Sequence, residues 1–374
     1  MKIAIIGIRG IPVIYSGFES FTENLSTDLA KKGYNITVYC RSPYVDRNTK
    51  IYKKVKLVTL PTLKSKNFES IIHGFFSTVH ACFFLRPKTI YYLGVGNSIL
   101  SIIPRVFGIR TVVNVDGLDW RREKWGFIAK SYLKLSEYVA TIFPNKTITD
   151  SLFIKRYYRE KYNKKTTYIP YGFDENLNKT DSLLEKKLLK KYKLKINRYL
   201  VWVGRIVPEN HLEELIIAFQ KVKTNYQCLI IGDDLYKSKY KNYIKELSKH
   251  DERIIFTGFL PKKNYAVLVK NSFCYVETKR SGGTHPSLIE AMGLGCLIIS
   301  NDSVANKQIL RDITIYYNIE QAIESLRKIL RKILNMNSSQ LIKRIKLKSK
   351  MITNIKYNFR LITKKYIDLF NYTK

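Results

Sequence analysis

Short β-branched and aromatic runs alternate along the chain with stretches whose apolar residues recur every three or four positions. This is the pattern of parallel sheets joined by crossover helices. In the first half, strands are predicted over Lys2–Gly7, Asn35–Cys40, Val55–Leu60, Thr89–Gly94, Arg110–Val115, Lys146–Thr149 and Thr166–Pro170. In the second half they are predicted over Tyr199–Gly204, Gln227–Gly232, Arg253–Thr257, Ser272–Glu277 and Cys296–Ser300. Phe21, Leu25 and Leu29 mark one face of a helix over Gly17–Lys32, and Leu212, Leu215, Ile216 and Phe219 one side of another over His211–Lys223. The fold class expected is α/β, with two doubly wound halves that each open on a strand ending in glycine. The expected boundaries are an N-terminal Rossmann-like domain over 1–172, a linker over 173–197 and a C-terminal Rossmann-like domain over 198–350. Residues 351–374 are expected to form a C-terminal helix packing back on the N-terminal domain. The longest apolar run, Ile71–Leu85, is roughly 15 residues against the ~20 a bilayer span needs, and reads as a buried or interfacial helix.

A length of 374 residues fits two domains better than one, and 45% apolar residues is a globular composition. Five scattered cysteines (Cys40, Cys82, Cys228, Cys274 and Cys296) show no metal-ligand spacing, and read as buried reduced thiols of a cytoplasmic protein. The N-terminus enters a strand directly, so no signal peptide is expected. The net charge of +36, from 66 Lys and Arg against 30 acids, calls for an anionic partner: lipid headgroups, nucleic acid or phosphorylated substrates. The lysines are spread among many Asn, Ile and Tyr, a bias that an AT-rich genome also produces. Charge alone therefore does not choose between these partners.

The sharpest local signal is Ser281-Gly282-Gly283-Thr284-His285-Pro286-Ser287-Leu288-Ile289-Glu290-Ala291-Met292. A glycine pair leads into a proline suited to the first helical position, with Thr284 or His285 as the N-cap and Glu290 one turn in. Such a turn presents backbone N–H groups to phosphate and a carboxylate to a nearby ribose. Gly204-Arg205, followed by Pro208-Glu209-Asn210, lies beyond the first strand of the same half, where an arginine can reach a diphosphate. In the N-terminal half Gly7-Ile8-Arg9-Gly10-Ile11-Pro12 and Ser16-Gly17-Phe18-Glu19 form a glycine-rich loop at a strand's carboxyl end. As a bare glycine loop it is equally a structural turn. Asp116-Gly117-Leu118-Asp119-Trp120 follows another strand, where a carboxylate can hydrogen-bond a sugar hydroxyl. A lone Asp-Gly is more often a turn. His73, His80, His211 and His250 lack partners at metal or catalytic spacing and read as structural or solvated; His285 stands apart because of its neighbours.

Together these motifs resemble the GT-B glycosyltransferases, two facing Rossmann-like domains, and more narrowly glycosyltransferase family 4. The match is carried by Gly204-Arg205 with Pro208-Glu209, and by Glu290-Ala291-Met292 with Gly295. It is closer still to the bacterial rhamnosyltransferase branch, through Gly7-x-Arg9-Gly10-Ile11-Pro12, Gly17-Phe18-Glu19, Asp116-Gly117-Leu118-x-Trp120, Lys124-Trp125-Gly126 and Gly282-Gly283-Thr284-x-Pro286-Ser287-Leu288-x-Glu290. The resemblance spans roughly residues 1–300. It implies a retaining transfer of rhamnose or another hexose from a dTDP- or UDP-linked donor to a lipid-linked saccharide, in cell-surface polysaccharide synthesis. It implies no bound metal and no cofactor. Arg205 and Asp116 would be catalytic. Gly204, Asn210, Gly282, Gly283, Thr284, His285, Ser287, Leu288 and Glu290 would bind the donor, and Arg9, Gly10, Gly17, Phe18, Glu19, Asp119 and Trp120 the acceptor. The basic surface would hold the enzyme peripherally on the anionic inner face of the plasma membrane.

The chain departs from the general family at three places. Gly282 stands where the first of two glutamates is usual, Asn210 where a lysine is usual, and Asp116 where a histidine is usual. These departures bear on the sugar rather than on the diphosphate. Nucleic-acid binding is the alternative that charge alone raises, but no recognisable module accompanies it. A dinucleotide-dependent sugar-nucleotide enzyme is disfavoured by the missing G-x-G-x-x-G and by Cys40-Arg41 where an acid would end the second strand.

Overall fold

A computed structural model describes the whole chain except residues 14–16, 64–68, 123–124, 180, 235–237, 281–282, 336–339 and 372–374, and the side chain at 341. The chain forms two compact units, one of Met1–Tyr171 with Arg360–Lys374 and the other of Gly172–Phe359.

The first unit contains β1 (Lys2–Ile6), β2 (Asn35–Arg41), β3 (Ile51–Tyr52), β4 (Val55–Leu60), β5 (Thr89–Leu93), β6 (Arg110–Asn114), β7 (Lys146–Thr149) and β8 (Thr167–Tyr168). They lie in the order β3-β4-β2-β1-β5-β6-β7-β8. Only the β3–β4 pair, a hairpin absent from the predicted pattern, is antiparallel. Strand order reverses at β1, which lies between β2 and β5, so a crevice opens beyond the carboxyl ends of β1 and β5. Gly7 sits there with φ +119°, and a Cβ on it would lie 2.3 Å from the Leu93 carbonyl oxygen. The helices of this unit are α1 (Gly17–Lys31), α2 (Glu69–His80), α3 (Ile102–Val106), α4 (Phe127–Ile142) and α5 (Leu152–Tyr162). Ser151 caps α5 by accepting from the Ile154 N–H at 3.1 Å.

The second unit contains β9 (Tyr199–Val203), β10 (Gln227–Ile231), β11 (Ile254–Gly258), β12 (Cys274–Glu277), β13 (Leu297–Asn301) and β14 (Ile315–Tyr317), all parallel, in the order β11-β10-β9-β12-β13-β14. Its helices are α6 (Ser182–Lys191), α7 (Leu212–Gln220), α8 (Lys239–Ser248), α9 (Lys262–Lys270), α10 (Pro286–Gly293), α11 (Val304–Leu310), α12 (Ala322–Leu334) and α13 (Gln340–Lys356). Both sheet faces are apolar because alternate residues feed two cores. Leu200, Trp202, Cys228, Ile230, Leu297 and Ile299 pack with Leu215 and Phe219 of α7 and Leu326 and Leu330 of α12. Tyr199, Val201, Leu229 and Ile298 pack with Leu268 and Val269 of α9 and Leu288 and Met292 of α10.

The segment 173–197 is part of this second unit. Phe173, Leu188 and Leu194 are buried in its core, and Phe173 fills the space that a side chain at Gly293 would need. The tail 351–374 is not one helix. α13 runs to Lys356, and a last helix, α14 (Phe359–Asn371), completes the first unit. There the Tyr366 and Tyr91 hydroxyls are 2.9 Å apart, and Arg110 donates to the Phe370 carbonyl at 3.0 Å. All five cysteines are buried and unbridged.

Two outcomes are expected. Gly232 has φ +125°, and a Cβ there would lie 1.9 Å from the Gly204 carbonyl oxygen. Gly232→Ala should therefore cost about 2 kcal/mol or more in a urea unfolding curve, and a change below about 0.5 kcal/mol would refute the close approach. His73 is fully buried and donates from Nε2 to the Cys40 carbonyl at 3.0 Å. Burial first, and then the Arg41 charge, push its pKa down to about 4. Between the ordinary value of about 6.5 and pH 4 the unfolded chain takes up a proton that the folded one refuses. The contribution is thus complete above about 6.5 and is lost as pH falls through 4, on the order of 3 kcal/mol in all. His73→Gln should flatten the pH dependence of the first unit's stability in that window; an unchanged slope would refute it.

Candidate functional site

In the second sheet the strand order reverses between β9 and β12, so the carboxyl ends of these two strands bound the crevice where α/β proteins hold ligands. β12 ends in Glu277, whose carboxylate has no exposed surface. Lys279 turns back on it, donating its backbone N–H at 2.9 Å and its ammonium to both oxygens at 3.1 Å. The Tyr275 hydroxyl donates to Oε2 of the same carboxylate at 3.3 Å. Burial above all, and then the Glu277 charge, hold Tyr275 far above its ordinary pKa, so it stays a donor. His285 Nδ1 lies 3.7 Å from the same carboxylate. Ser287 closes the cluster, with its hydroxyl 3.1 Å from that of Tyr275 and 3.3 Å from the Lys279 ammonium.

The neighbouring strand end fits around this cluster. Lys279 lies over the Trp202 ring, 5.8 Å from its centroid, and the Trp202 indole donates to Thr278 at 2.8 Å. A Cβ at Gly204 would stand 2.8 Å from the Trp202 ring and 3.0 Å from Lys279 Cε. Glycine at 204 is thus required by packing, whether or not a ligand approaches. Beyond it, Asn210 donates from its amide to the Arg205 carbonyl at 2.7 Å and accepts from Thr278 on its own carbonyl. Asn210 therefore ties the loop 205–210 to the end of β12. The side chain of Arg205 is half-buried and its guanidinium has no hydrogen bond or ion pair among the described residues. The other nearby cations are engaged, Lys279 with Glu277 and Arg280 with Glu214.

The helix α10 starts as the proline predicts. His285 is its N-cap in extended conformation, without a side-chain cap bond, and Pro286 opens the first turn. Leu288 is buried and anchors the turn in the core, while its N–H bonds back to the His285 carbonyl at 3.0 Å. Gly283 and Thr284 are buried just before it; Ser281 and Gly282 lie outside the described residues. Glu290, one turn in, faces α9, with Oε1 3.3 Å from the Lys262 ammonium. The buried Tyr265 is raised well above its ordinary pKa, by burial first and by the Glu290 charge second.

In the first unit, the glycine loop is held by Glu19. Its carboxylate, itself buried, accepts the Arg9 N–H at 3.2 Å and lies 3.8 Å from the Arg9 guanidinium. Arg9 also lies over the Tyr44 ring. A Cβ at Gly10, φ +150°, would strike Val45 at 2.4 Å. Gly17 opens α1, and Phe18 meets Tyr171 edge-on at 6.1 Å between ring centroids. Tyr171 donates to Asp116 at 3.2 Å, so Phe18, Tyr171 and Asp116 form one group. Asp116 takes a left-handed φ of +54°, and its N–H bonds to the Asn114 side chain at 3.0 Å. Asp119 and Trp120 have other ties. Asp119 pairs with Arg122 at 2.8 Å, and the Trp120 indole donates to Glu137 at 2.9 Å. Buried Glu137 also accepts from Tyr157, Tyr162 and Lys161. No sequence motif assigns a role to Glu137, Glu277 or Lys279. The signal for the last two was an acid and a base two positions apart at the end of a predicted strand.

Comparison with known proteins divides the chain in the same place. Residues 185–356 match the family model for glycosyl transferases group 1, and residues 1–174 match a domain of unknown function (DUF1972). An uncharacterized glycosyltransferase of Methanocaldococcus jannaschii is 26% identical over 163 residues, which are 42% of this chain and 37% of that protein. The matched stretch thus spans little more than a third of that relative's length. Among solved structures, a sucrose-phosphate synthase of Thermosynechococcus elongatus superposes with a TM-score of 0.81 at 17% identity, covering 99% of this chain and 98% of that one. The Anabaena protein HepE in complex with UDP-glucose gives 0.80 at 15% identity, covering 99% of each chain. WaaG, a glycosyltransferase involved in lipopolysaccharide biosynthesis, gives 0.77 at 11%, covering 99% and 100%. The chain therefore carries a glycosyl transferases group 1 domain and has the two-domain α/β fold of the GT-B structures.

Proposed function

We propose that the chain is a glycosyltransferase that moves a sugar from a nucleoside diphosphate donor to a lipid-linked saccharide acceptor. The observation that carries this reading is Arg205. It is a cation with no partner among the described residues, beyond the first strand of a group 1 domain, at the edge where the Gly283–Ser287 turn opens α10. When the bond from the sugar's anomeric carbon to the diphosphate oxygen breaks, the electron pair stays with the diphosphate. A guanidinium free to meet that charge acts where it develops. In this reading Gly282, Gly283, Thr284 and Ser287 receive the diphosphate, and Glu290 accepts from the ribose hydroxyls, exchanging its Lys262 contact for the ligand. Glu277 holds Lys279, and through it orients Ser287; these are positioning residues.

The finer reading follows the motifs. The family is glycosyltransferase family 4 with retention of configuration, and the branch is the one that transfers rhamnose. The donor base is uracil or thymine. The acceptor meets Arg9, Gly10, Gly17, Phe18, Glu19 and the Asp116 region in the first unit, with Asp119 and Trp120 supporting that surface through Arg122 and Glu137. The setting is the inner face of an anionic membrane during polysaccharide synthesis. Complexes of the Anabaena neighbour with UDP-glucose support the donor class.

The direct experiment is a thermal-shift panel of UDP- and dTDP-sugars, followed by detection of released nucleoside diphosphate. Stabilisation by at least one donor is expected, and a flat panel would refute the reading. Arg205→Ala should lower kcat by about a hundredfold or more with a smaller change in KM, and Glu290→Ala should abolish donor binding while Lys262→Ala preserves it. Undiminished turnover in Glu290→Ala would remove that residue from the site. Lys279→Met should cost about 3–5 kcal/mol in stability by leaving Glu277 buried and unpaired, and adding Glu277→Gln should restore most of the loss. If the single variant is as stable as the parent, the pair is not what holds this edge together.

A further inference from the structure

The helix α2 and the turn that follows it are built inside out. Their buried side carries His73, Gly74, Ser77, Thr78, Ala81 and Cys82. Their outer side carries Phe75, Phe76, Phe83 and Phe84, which are 46%, 52%, 54% and 78% exposed. The small inner residues have a steric cause: a Cβ at Gly74 would already lie 2.7 Å from Asn97 and 2.8 Å from Leu100. Nothing steric requires phenylalanine outside, and an ordinary surface helix places its polar residues there.

The apolar surface continues beyond this helix. After His80 the chain widens into a π-helical turn, Ala81–Leu85, which ends at Arg86 in left-handed conformation. Phe83 on that turn meets Phe107, past the end of α3, at 5.0 Å between ring centroids. Val106 beside it is 83% exposed. Arg105 of α3 donates to the Phe143 carbonyl at the end of α4 at 3.0 Å, which joins α3 to that helix. Ile128, Leu135, Tyr138 and Ile142 are exposed on α4. Single exposed apolar residues are unremarkable, but a surface that runs through three elements marks an interaction site.

Charge identifies the occupant. No acidic residue occurs between Glu69 and Asp116, and Glu69 and Glu137 are buried. Arg86, Lys88 and Arg105 are exposed among the aromatics. A cleft of about 470 Å³ lies between the π-helical turn and the turn after α3, with Phe83 and Phe107 on its walls and Arg86 and Lys88 at its rim. Aromatic rings flanked by cations suit the headgroup boundary of an anionic bilayer, where rings enter the acyl region and basic side chains reach phosphates. A second copy is a poor occupant, because a symmetric contact would set the same cations against each other. Among the described residues no helix is long and apolar enough to cross a membrane, so the surface would lie on the bilayer rather than span it.

We propose that this face of the first unit, from α2 through the π-helical turn to α3 and α4, seats the protein on an anionic phospholipid bilayer, with Phe84 and Val106 inserted and Arg86 and Lys88 on lipid phosphates. The proposal rests on the membrane-side reading of the acceptor and names the surface that serves it. The test is co-sedimentation of the full chain with vesicles of phosphatidylcholine, alone or with about a third of phosphatidylglycerol. Binding is expected on the mixed vesicles and at least about tenfold weaker binding on the neutral ones. Phe84→Ser with Val106→Ser should weaken binding to the mixed vesicles about tenfold or more, and Arg86→Gln with Lys88→Gln should remove most of the preference for anionic lipid. Both double variants should keep the parent's melting temperature and its stabilisation by nucleoside diphosphate. The proposal is overturned if the Phe84/Val106 variant binds mixed vesicles like the parent. It is also overturned if the parent binds neither vesicle, or if light scattering shows a dimer that the same variant splits. Nucleotide binding is read without vesicles. Vesicle binding without it overturns the transferase reading alone, and nucleotide binding without vesicle binding overturns this surface alone.

Discussion

A carboxylate with no exposed surface has to be neutralised where it stands, and much of the second unit's ligand edge follows from how Glu277 meets that requirement. Lys279 is the counter-ion, and its stem must lie somewhere. It crosses the face of Trp202, which leaves room for nothing larger than glycine at 204. Its remaining donor capacity and the Tyr275 hydroxyl converge on Ser287, which fixes the first turn of α10. The chain after β12 is stitched further by Asn301, which donates to the carbonyls of Glu277 and Lys279 at 3.3 and 2.9 Å. One buried charge thus dictates a glycine on one strand, an aromatic beneath it and the start of a helix on the next. Such pairs tend to specify an arrangement more than they stabilise it.

The first unit uses the same device at another scale. Glu137 is buried in the middle of α4 and accepts from Trp120, Tyr157, Tyr162 and Lys161, which draws α4, α5 and the Asp119–Arg121 turn together. Glu19 does so for the glycine loop, accepting the Arg9 N–H. In both places an acid holds irregular backbone in position at or near a strand's carboxyl end. This is how flexible connections acquire a fixed shape.

Much of this was legible in the sequence where one residue type has one physical use. The carboxyl-edge glycines, Pro286 at the start of α10 and the four-residue spacing of Phe21, Leu25 and Leu29 each map onto what the structure contains. The polar hubs were not legible, because their partners converge from distant positions. Glu137 takes donors from residues on both sides of it, and an isolated acid in a helical stretch looks like any solvated one. Periodicity also assigns the wrong face to a helix whose small and polar residues are the buried ones. Ile71–Leu85 therefore did not disclose that its phenylalanines point outward. The lysine-rich segment 173–197 resembles a linker by composition, yet Phe173, Leu188 and Leu194 bury it.

The return of α14 to the first unit has a consequence for synthesis on the ribosome. Tyr91 and Arg110 sit in the N-terminal unit, yet the groups they bond, on Tyr366 and Phe370, are made only after the second unit. Between Tyr171 and Arg360 the ribosome must add the whole of the second unit, which at about 5–20 residues per second takes roughly 10–40 s. The second unit, continuous in sequence, can close first, while the earlier one waits with part of its core exposed. The order of completion is thus the reverse of the order of translation.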